Sequence, residues 1–259
     1  MLRPAASQPP VAVILAAGLG SRLQAVHSAK PKGFVEVEGL PIIARSVAAL
    51  QRAGIREFVF VVGWQKQAYE RWCAAECPGA VCVENADYAT TGSLRSLLLG
   101  WAAVPGRDIL LVESDLLYEQ RAPDLLLASL SADTVLISDF TRSRDEVWVY
   151  AAPGEPSRLA HLTKQRAGGS EPVGELVGLS RVSAALVAQL RHAAESLSPA
   201  AHYEDGFNAV AERHSISLLR VPGLAWCEID DAAHLERARG SIWPRILAAD
   251  LQDNPRSAS

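Results

Sequence analysis

The sequence predicts an α/β fold in which helices cover both faces of a doubly wound, mostly parallel mixed sheet. Apolar runs rich in β-branched residues occur at 11–17, 58–62 and 109–112, and each has the length of a buried parallel strand. Helical patterns separate these runs, as expected for a parallel sheet with crossover helices. The remaining predicted elements are helices at 41–54, 65–75, 184–195 and 232–247, and strands at 80–83, 135–137, 146–150, 159–164, 172–180 and 216–221.

Length and composition are those of a large globular chain. It has 259 residues, of which 49% are hydrophobic and 21% charged, and its formal net charge is −4. This charge predicts no basic face, which argues against nucleic acid as a partner. No apolar run approaches the ~20 residues that span a bilayer, so we expect no membrane partner. The four cysteines match no zinc spacing, and we expect inert thiols in a cytoplasmic protein.

The domain organisation expected from these patterns is simple. We predict one domain over residues 11–248, with flexible tails at 1–10 and 249–259. Residues 1–10 lack the apolar core of a secretory leader. From residue 134 strands joined by polar turns replace the alternation of strands and helices, and we take 139–172 as an insertion without a core of its own.

A glycine-rich turn carrying two cations follows the first predicted strand. Gly18 and Gly20 let backbone amides approach a phosphate closely, because no Cβ intervenes. Arg22 and Lys32 bring positive charge to the same loop, which favours a bound triphosphate. The Walker pattern is absent because no Lys-Ser or Lys-Thr follows these glycines. The dinucleotide fingerprint fails because Leu23 occupies its third glycine position.

A second polar turn precedes a predicted helix near residue 93. Ser93 is placed to cap an amphipathic helix that carries Leu94 and Leu97. Free amides at the helix start, beside Thr91 and Gly92, would suit a base or a ribose. A capped helix without a ligand is the simpler interpretation of these residues alone.

Three carboxylates are candidates for a metal site. Asp115 follows the strand at 109–112, at the carboxyl end where open α/β sheets bind ligands, and Mg²⁺ bound to phosphates is its natural partner. Glu228 and Asp230 are two residues apart, so an extended segment puts both on one face, where they repel unless a cation lies between them. Helix capping is the alternative role for Asp115, Asp230 and the adjacent Asp231.

Residues 15–23, Leu-Ala-Ala-Gly-Leu-Gly-Ser-Arg-Leu, together with Pro31-Lys32 resemble the signature of nucleotidyltransferases that make nucleoside-diphosphate-activated sugars and alcohols. Over residues 11–247 the chain is similar to bacterial cytidylyltransferases that act on phosphocholine or 2-aminoethylphosphonate. The stretches 113–119 and 145–149 and the pair Thr163-Lys164 favour the phosphonate group. The resemblance implies a Rossmann-like nucleotidyltransferase fold with 139–172 as a small acceptor-binding insertion. It also implies CTP, Mg²⁺ and a small phosphonate or phosphate acceptor, and leaves a homodimer open.

The same resemblance assigns roles to residues of this chain. Lys32 would neutralise charge near the α-phosphate, with Arg22 and Lys164 as further catalytic cations, and the implied metal ligands are Asp115, Glu228 and Asp230. The implied nucleotide-binding residues are Leu15, Ala16, Ala17, Gly18, Gly20, Ser21, Arg22, Thr91, Gly92, Ser93 and Asp115. The implied acceptor-binding residues are Glu146, Lys164, Tyr203, Glu204 and Asp205.

One departure from the family pattern bears on the acceptor. Phosphocholine enzymes commonly carry Asn-Glu-Trp, whose ring faces a quaternary ammonium. This chain has Asp145-Glu-Val147 with its tryptophan one step later, at Trp148, and a shift of one residue on a strand moves the ring to the other face. We therefore expect a small primary ammonium held by carboxylates, which favours 2-aminoethylphosphonate over phosphocholine or 2-hydroxyethylphosphonate.

Two further functions stay open. A sugar-1-phosphate nucleotidyltransferase using UTP or dTTP would more often carry Gly-Glu-x-Pro-Gly, of which residues 171–175 are a loose echo. A regulatory nucleotide-binding module without activity would be expected to lack Lys32, Asp115 or the pair Glu228 and Asp230, and all of these are present.

Overall fold

The computed structural model describes residues 8–24, 30–166 and 170–253. It is a mixed α/β fold around one nine-stranded sheet, accompanied by two short two-stranded ladders. The strands are β1 (Val11–Ala16), β2 (Glu36–Val37), β3 (Leu40–Pro41), β4 (Phe58–Val62), β5 (Val81–Glu84), β6 (Ile109–Glu113), β7 (Leu116–Tyr118), β8 (Thr134–Ser138), β9 (Trp148–Ala152), β10 (Glu155–Thr163), β11 (Gly174–Val182), β12 (Ser217–Arg220) and β13 (Trp226–Glu228). The helices are α1 (Ser21–Gln24), α2 (Ile42–Arg52), α3 (Lys66–Glu76), α4 (Ser93–Ala102), α5 (Arg121–Ala128), α6 (Ala184–Ala194), α7 (Tyr203–Val210), α8 (Ala232–Arg237) and α9 (Trp243–Asp253), with a 3₁₀ turn at Lys32–Phe34.

The main sheet has the strand order β5-β4-β1-β6-β11-β8-β12-β10-β9. Strands β5, β4, β1 and β6 are parallel, whereas β11 is antiparallel to both β6 and β8. Strand β12 is parallel to β8 and antiparallel to β10, which pairs antiparallel with β9. Among these nine described strands β10 and β11 therefore oppose the common direction, and the sheet is mixed with most strands parallel.

The core lies on both faces of this sheet. Along β1, Ala12 and Ile14 pack in the cluster that includes residues of α2, α3 and α5, whereas Val11 and Val13 pack in the cluster that includes residues of α4, α6 and α7. Successive side chains of a strand point to opposite faces. A strand buried on both faces must be apolar throughout, which explains why the continuous apolar run at its position is a reliable signal.

The segment 139–172 contributes strands to the main sheet. Strand β9 pairs with β10 and also with β11, so β11, β8, β12, β10 and β9 are paired around a closed ring. Glu175 at the start of β11 is paired with Ser138 at the end of β8. The two residues lie at the same edge of the sheet as the carboxyl ends of β1 and β6, because β8 runs in the common direction.

Helix α4 differs from its predicted start. Its N-cap is Gly92, so the assignment of Ser93 as the cap is wrong. The Ser93 hydroxyl oxygen instead accepts a hydrogen bond from the backbone N–H of Tyr203 at 3.0 Å. The serine therefore joins α4 to α7, a contact between segments 110 residues apart that the local capping pattern cannot predict.

The C-terminal helix is longer than predicted. After a π-helical turn at Ala238–Ile242 it continues as α9 to Asp253, so residues 249–253 are helical rather than part of a tail. Ile246, which is buried in the cluster with Leu117 and Ile229, anchors this extension. Residues 1–7 and 254–259, which belong to the predicted tails, lie outside the described residues. Across the described ranges no helix combines the length and hydropathy needed to cross a membrane.

Candidate active site

The carboxyl ends of β1 and β6 lie side by side. Leu15 near the end of β1 is in register with Glu113 at the end of β6. The glycine turn follows β1 and Asp115 follows β6, so the two motifs singled out in the sequence meet at one edge. Ala16 and Ala17 are buried at this edge. The side chain of Ser21 and residues 25–29 lie outside what the structure describes.

Glycine at position 20 is required by both conformation and space. Its φ is +59°, and a Cβ there would lie 2.9 Å from Cγ of Lys32. Gly18 has open space at the corresponding point, with nothing within 4 Å. Gly20 therefore lets the aliphatic stem of Lys32 cross the turn, whereas Gly18 leaves the loop open toward solvent.

Lys32 and Arg22 are paired with carboxylates at the centre of this edge. The Lys32 Nζ lies 2.9 Å from Oδ2 of Asp115 and also contacts Oδ1 of Asp230. The Arg22 guanidinium donates to Oδ2 of Asp230 at 2.8 Å and to Oδ2 of Asp145 at 2.6 Å. The structure thus brings both predicted cations onto the predicted acidic residues.

A short antiparallel ladder brings the late carboxylates to the early ones. Strand β13 pairs with β7 so that Glu228 lies opposite Leu116, and the backbone N–H of Ile229 donates to the carbonyl of Asp115 at 3.0 Å. Asp231 caps α8 by accepting from the backbone N–H of His234 at 2.8 Å. The capping role thus goes to Asp231 and leaves Asp230, which is 1% exposed, facing the site.

Burial and crowding of charge shape the protonation of this cluster. Burial, with Asp115 and Glu113 nearby, raises the pKa of Glu228 to about 11. Burial opposes ionisation of Asp230 too, but Lys32 and Arg22 hold its pKa below the usual value. The pKa of Lys32 is raised despite burial because Asp115 and Asp230 favour its charged form. Glu228 is therefore the protonated member of the cluster in the absence of a further cation.

The donor set fits a hard divalent cation. One oxygen each from Asp115, Glu228 and Asp230 lies within 4.8 Å of the others. Carboxylate oxygens are the ligands that Mg²⁺ prefers, and few protein ligands suffice when phosphates supply the rest. A cation at this point would also offset the burial and the neighbouring carboxylates that raise the pKa of Glu228.

The amides expected to be free at the start of α4 are engaged within the protein. The backbone N–H of Thr91 donates to the carbonyl of Asp87, and that of Gly92 donates to the carbonyl of Pro199, both at 3.0 Å. The Thr91 amide is thus engaged in a local turn, and the chain before α7 docks against the amides of Gly92 and Leu94, so the start of α4 is not an open row of free amides. A role of Thr91, Gly92 and Ser93 in nucleotide binding stays a prediction.

A small cavity of about 50 Å³ opens beside Glu228. Two of the predicted acceptor residues, Lys164 and Glu204, line it. Lys164 is also the cationic neighbour of Asp145, with 3.7 Å between Nζ and Oδ1. The acidic residues around the cavity outnumber the basic ones: they are Glu113, Asp145, Glu175, Glu204 and Glu228, against Lys164 and Arg237.

At this cavity two buried polar atoms have no hydrogen-bond partner among the residues that the structure describes. They are Oε2 of Glu204 and Nε of Arg237. Burial raises the pKa of Glu204. A buried polar group left unpaired is unfavourable by ~1–3 kcal/mol, so such atoms in a cavity indicate a place for a ligand or for water.

The other carboxylates of the cavity are held by neighbours. Glu175 accepts from the backbone N–H of Thr141 at 2.5 Å and from its hydroxyl at 2.8 Å. Burial raises the pKa of Glu175 to about 7. The hydrogen bonds from Thr141 oppose this rise, and the charge of Glu146 adds to it. Burial likewise raises the pKa of Glu113 to about 8, together with Asp115 and Glu204.

Three predicted acceptor residues do not line the cavity. Tyr203 is fully buried and donates its hydroxyl to Oε1 of Glu113 at 2.9 Å. Asp205 caps α7 by accepting from the backbone N–H of His202 at 2.8 Å, which is the helix-capping role rather than a cavity role. Glu146 lies before β9, and its charge contributes to raising the pKa of Glu175 in the cavity.

Sequence reasoning missed several of the residues that line the cavity. Glu113, Asp145 and Glu175 stand in stretches quoted for their likeness to the family, but their carboxylates carried no separate prediction. Glu113 lies two residues before Asp115 at a strand exit, the spacing that singled out Glu228 and Asp230. Arg237 gives no local signal, because it reaches the cavity from a helix near the end of the chain.

Comparison with known proteins agrees with this geometry. Residues 12–200 match the MobA-like NTP transferase domain. The chain belongs to this family. The predicted resemblance to nucleotidyltransferases is thereby confirmed, and it extends over the glycine turn, Lys32 and Asp115.

Two curated relatives from bacteria are similar over part of the chain. A CMP-5'-(3-aminopropyl)phosphonate synthase of Streptomyces rubellomurinus is 37% identical over 129 residues, which cover 49% of this chain and 20% of that protein. A 2-aminoethylphosphonate cytidylyltransferase of Lancefieldella rimae is 36% identical over 88 residues, covering 33% of this chain and 35% of that protein. The chain therefore spans about a third or less of the length of these relatives.

Among solved structures, the inositol-1-phosphate CTP transferase from T. maritima superimposes with a TM-score of 0.79. The alignment covers 96% of this chain and 98% of that one, at 17% sequence identity. At this identity the likeness shows a shared Rossmann-like α/β nucleotidyltransferase fold and does not identify the acceptor.

Proposed function

We propose that this chain is a Mg²⁺-dependent cytidylyltransferase that transfers CMP from CTP to a small aminoalkylphosphonate, with 2-aminoethylphosphonate as the best candidate, and releases pyrophosphate. The ion-pair cluster of Lys32 with Asp115 and Asp230 beside the glycine turn carries the proposal. It combines a place for phosphates, a fixed cation and a carboxylate set in one edge of the sheet. The names of the two curated relatives support the choice of nucleotide and acceptor class.

The reaction needs positioning and charge neutralisation more than a covalent nucleophile. An oxygen of the phosphonate attacks the α-phosphorus in line, and the bond to the pyrophosphate oxygen breaks. The glycine turn and Arg22 bind the triphosphate, while Lys32 neutralises charge that develops near the α-phosphate. A dianionic phosphonate is already nucleophilic, so no general base is assigned.

Asp115, Glu228 and Asp230 would hold the Mg²⁺. The ion would supply Lewis-acid polarisation of the α-phosphate. When Mg²⁺ occupies these carboxylates, Lys32 would contact phosphate oxygens of the nucleotide instead. The phosphates are anionic partners for the lysine, as the carboxylates of Asp115 and Asp230 are. Glu228 would lose its proton, because the cation would offset the burial and the neighbouring carboxylates that raise its pKa.

The acidic cavity is the proposed binding place of the acceptor amine. A primary ammonium donates up to three hydrogen bonds, whereas a trimethylated ammonium donates none. The unpartnered Oε2 of Glu204 and the neighbouring carboxylates supply acceptors for such donors. Lys164, which lies 3.7 Å from Asp145 at this cavity, would hold the phosphonate end.

One assay tests the proposal directly. Pyrophosphate release is measured for CTP, UTP and dTTP against 2-aminoethylphosphonate, 2-hydroxyethylphosphonate, phosphocholine and glucose 1-phosphate. We expect the highest kcat/KM with CTP and 2-aminoethylphosphonate, and loss of turnover on chelation of Mg²⁺ with recovery when Mg²⁺ is restored. Preference for a sugar phosphate with UTP would contradict the nucleotide and acceptor, and turnover that survives chelation would contradict the metal.

A further inference from the structure

Tyr69, on α3, belongs to the core cluster that also contains residues of α2 and α5. It is 1% exposed, and its ring packs against that of Phe34 with 4.8 Å between the centroids. Its hydroxyl lies against the backbone of Gly33, which in turn faces the carbonyl of Ser114, and interactions with Gly33 and with the Ser114 side chain oppose the rise in the Tyr69 pKa that burial causes. The contact is close, since a Cβ on Gly33 would lie 2.6 Å from the Tyr69 hydroxyl oxygen.

The two partners of this hydroxyl are the chain neighbours of two site residues. Gly33 follows Lys32, and Ser114 precedes Asp115. Lys32 and Asp115 are themselves joined by 2.9 Å between Nζ and Oδ2. One phenolic oxygen therefore bridges, from the core side, the same two segments that the ion pair joins on the site side.

We propose that Tyr69 is a positioning residue whose hydroxyl sets the placement of the Lys32 segment against the Asp115 segment. The kinetic part of this inference rests on the proposed nucleotidyl transfer. Transfer in line depends on groups held to within fractions of an ångström, and a displacement of about 1 Å can lower a rate by as much as a hundredfold. Tyr69 itself touches neither nucleotide nor acceptor.

The chain offers a matched control in Tyr118. This tyrosine is also buried, and its hydroxyl pairs with the Ser46 hydroxyl of α2 at 2.7 Å. Burial raises the pKa of both tyrosines, so each hydroxyl is a neutral, desolvated group. Tyr69→Phe and Tyr118→Phe each remove one buried hydroxyl and keep the ring, but only the former removes the bridge.

We expect Tyr69→Phe to lower kcat about tenfold or more with little change in the KM for CTP, because misplacement of the reacting groups affects the transition state more than ground-state binding. Tyr118→Phe is expected to stay within about twofold of the wild type, since its hydroxyl does not contact either site segment. Equal kcat values for the two variants would overturn the inference.

A second readout does not depend on turnover. Amide hydrogen exchange is measured in the full chain over residues 31–35 and 112–116, and we expect faster exchange at both segments in Tyr69→Phe than in Tyr118→Phe. If the wild type proves inactive with every acceptor, the proposed function fails while this measurement still decides the role of Tyr69. Unchanged exchange at both segments would overturn that role. If Tyr69→Phe does not fold, Ser114→Ala is measured in its place.

Discussion

At the scale of single residues, Lys32 balances the charges of the candidate site. Its ammonium contacts both Asp115 and Asp230, and these contacts keep its pKa above the ordinary value and that of Asp230 below it. A lysine that stays charged cannot serve as a general base. It is suited to stabilising negative charge, and that role makes a kinetic prediction.

Lys32→Ala is expected to lower kcat by about two to three orders of magnitude, as for other lost electrostatic donors, with a smaller change in the KM for CTP. The measurement is steady-state pyrophosphate release at saturating acceptor. Lys30→Ala is the matched control, because Lys30 is exposed and its Nζ pairs with Oε1 of Glu36 at 3.8 Å, away from the carboxylate cluster. A raised KM with an unchanged kcat would make Lys32 a binding residue only.

Adjacent acids on α7 allow a second test. Oε2 of Glu204 is buried at the cavity without a partner, whereas Asp205 caps the helix. We expect Glu204→Gln to remove the preference in kcat/KM for 2-aminoethylphosphonate over 2-hydroxyethylphosphonate. A neutral amide forms no ion pair with the ammonium, and it has one acceptor oxygen in place of two. Asp205→Asn keeps an oxygen for the cap and should retain the preference. The reverse pattern would place the amine at Asp205.

At the scale of elements, the start of α4 depends on a close backbone approach. A Cβ on Gly92 would lie 2.1 Å from the carbonyl oxygen of Ala201 and 2.4 Å from that of Ala200. Backbone cannot yield as a flexible side chain does, so substitution must separate α4 from the segment before α7. At the start of α7 the backbone N–H of Tyr203 also donates a hydrogen bond to the Ser93 hydroxyl oxygen of α4.

Gly92→Ala should therefore reduce the free energy of unfolding, by about 1–3 kcal/mol as for other overpacked sites. Urea denaturation checks this value. Gly240→Ala is the control, because a Cβ there meets nothing within 4 Å and alanine is the better helix former. A Gly92→Ala variant as stable as Gly240→Ala would show that the close approach is relaxed in solution.

At the scale of the whole molecule, buried acids make stability depend on pH. The pKa of Glu175 is raised by burial from its ordinary 4.5 to about 7. Between these values the unfolded chain has released a proton that the folded protein still holds, so the free energy of unfolding falls as pH rises. This contribution is complete below the ordinary pKa and is lost above the folded one.

Glu175→Gln is expected to show a shallower decline in the free energy of unfolding between pH 4.5 and about 7 than the wild type, because the glutamine has no proton to release. Urea denaturation at several pH values within that window gives the two slopes. Glu113, whose pKa is raised to about 8, titrates in both proteins and cancels in the comparison. Parallel slopes would show that Glu175 is already ionised in the folded protein.

The sequence by itself determined the alternation of strands and helices, the glycine turn, and the carboxylates at 115, 228 and 230. These features are local: a buried strand must be apolar throughout, a phosphate turn needs glycine, and two carboxylates on an extended segment share a face. The bounds of β1, β4 and β6 follow from the first of these rules almost to the residue.

Only the tertiary structure decided which neighbours act together. It assigned Asp231 to a helix cap and Asp230 to the site, turned Glu204 rather than Asp205 to the cavity, and brought Tyr69 beneath both Lys32 and Asp115. Each choice depends on contacts between segments far apart in the chain, such as the β7–β13 ladder and the docking of α7 against α4. Such contacts form through burial and register across the fold, and no local pattern of residues records them.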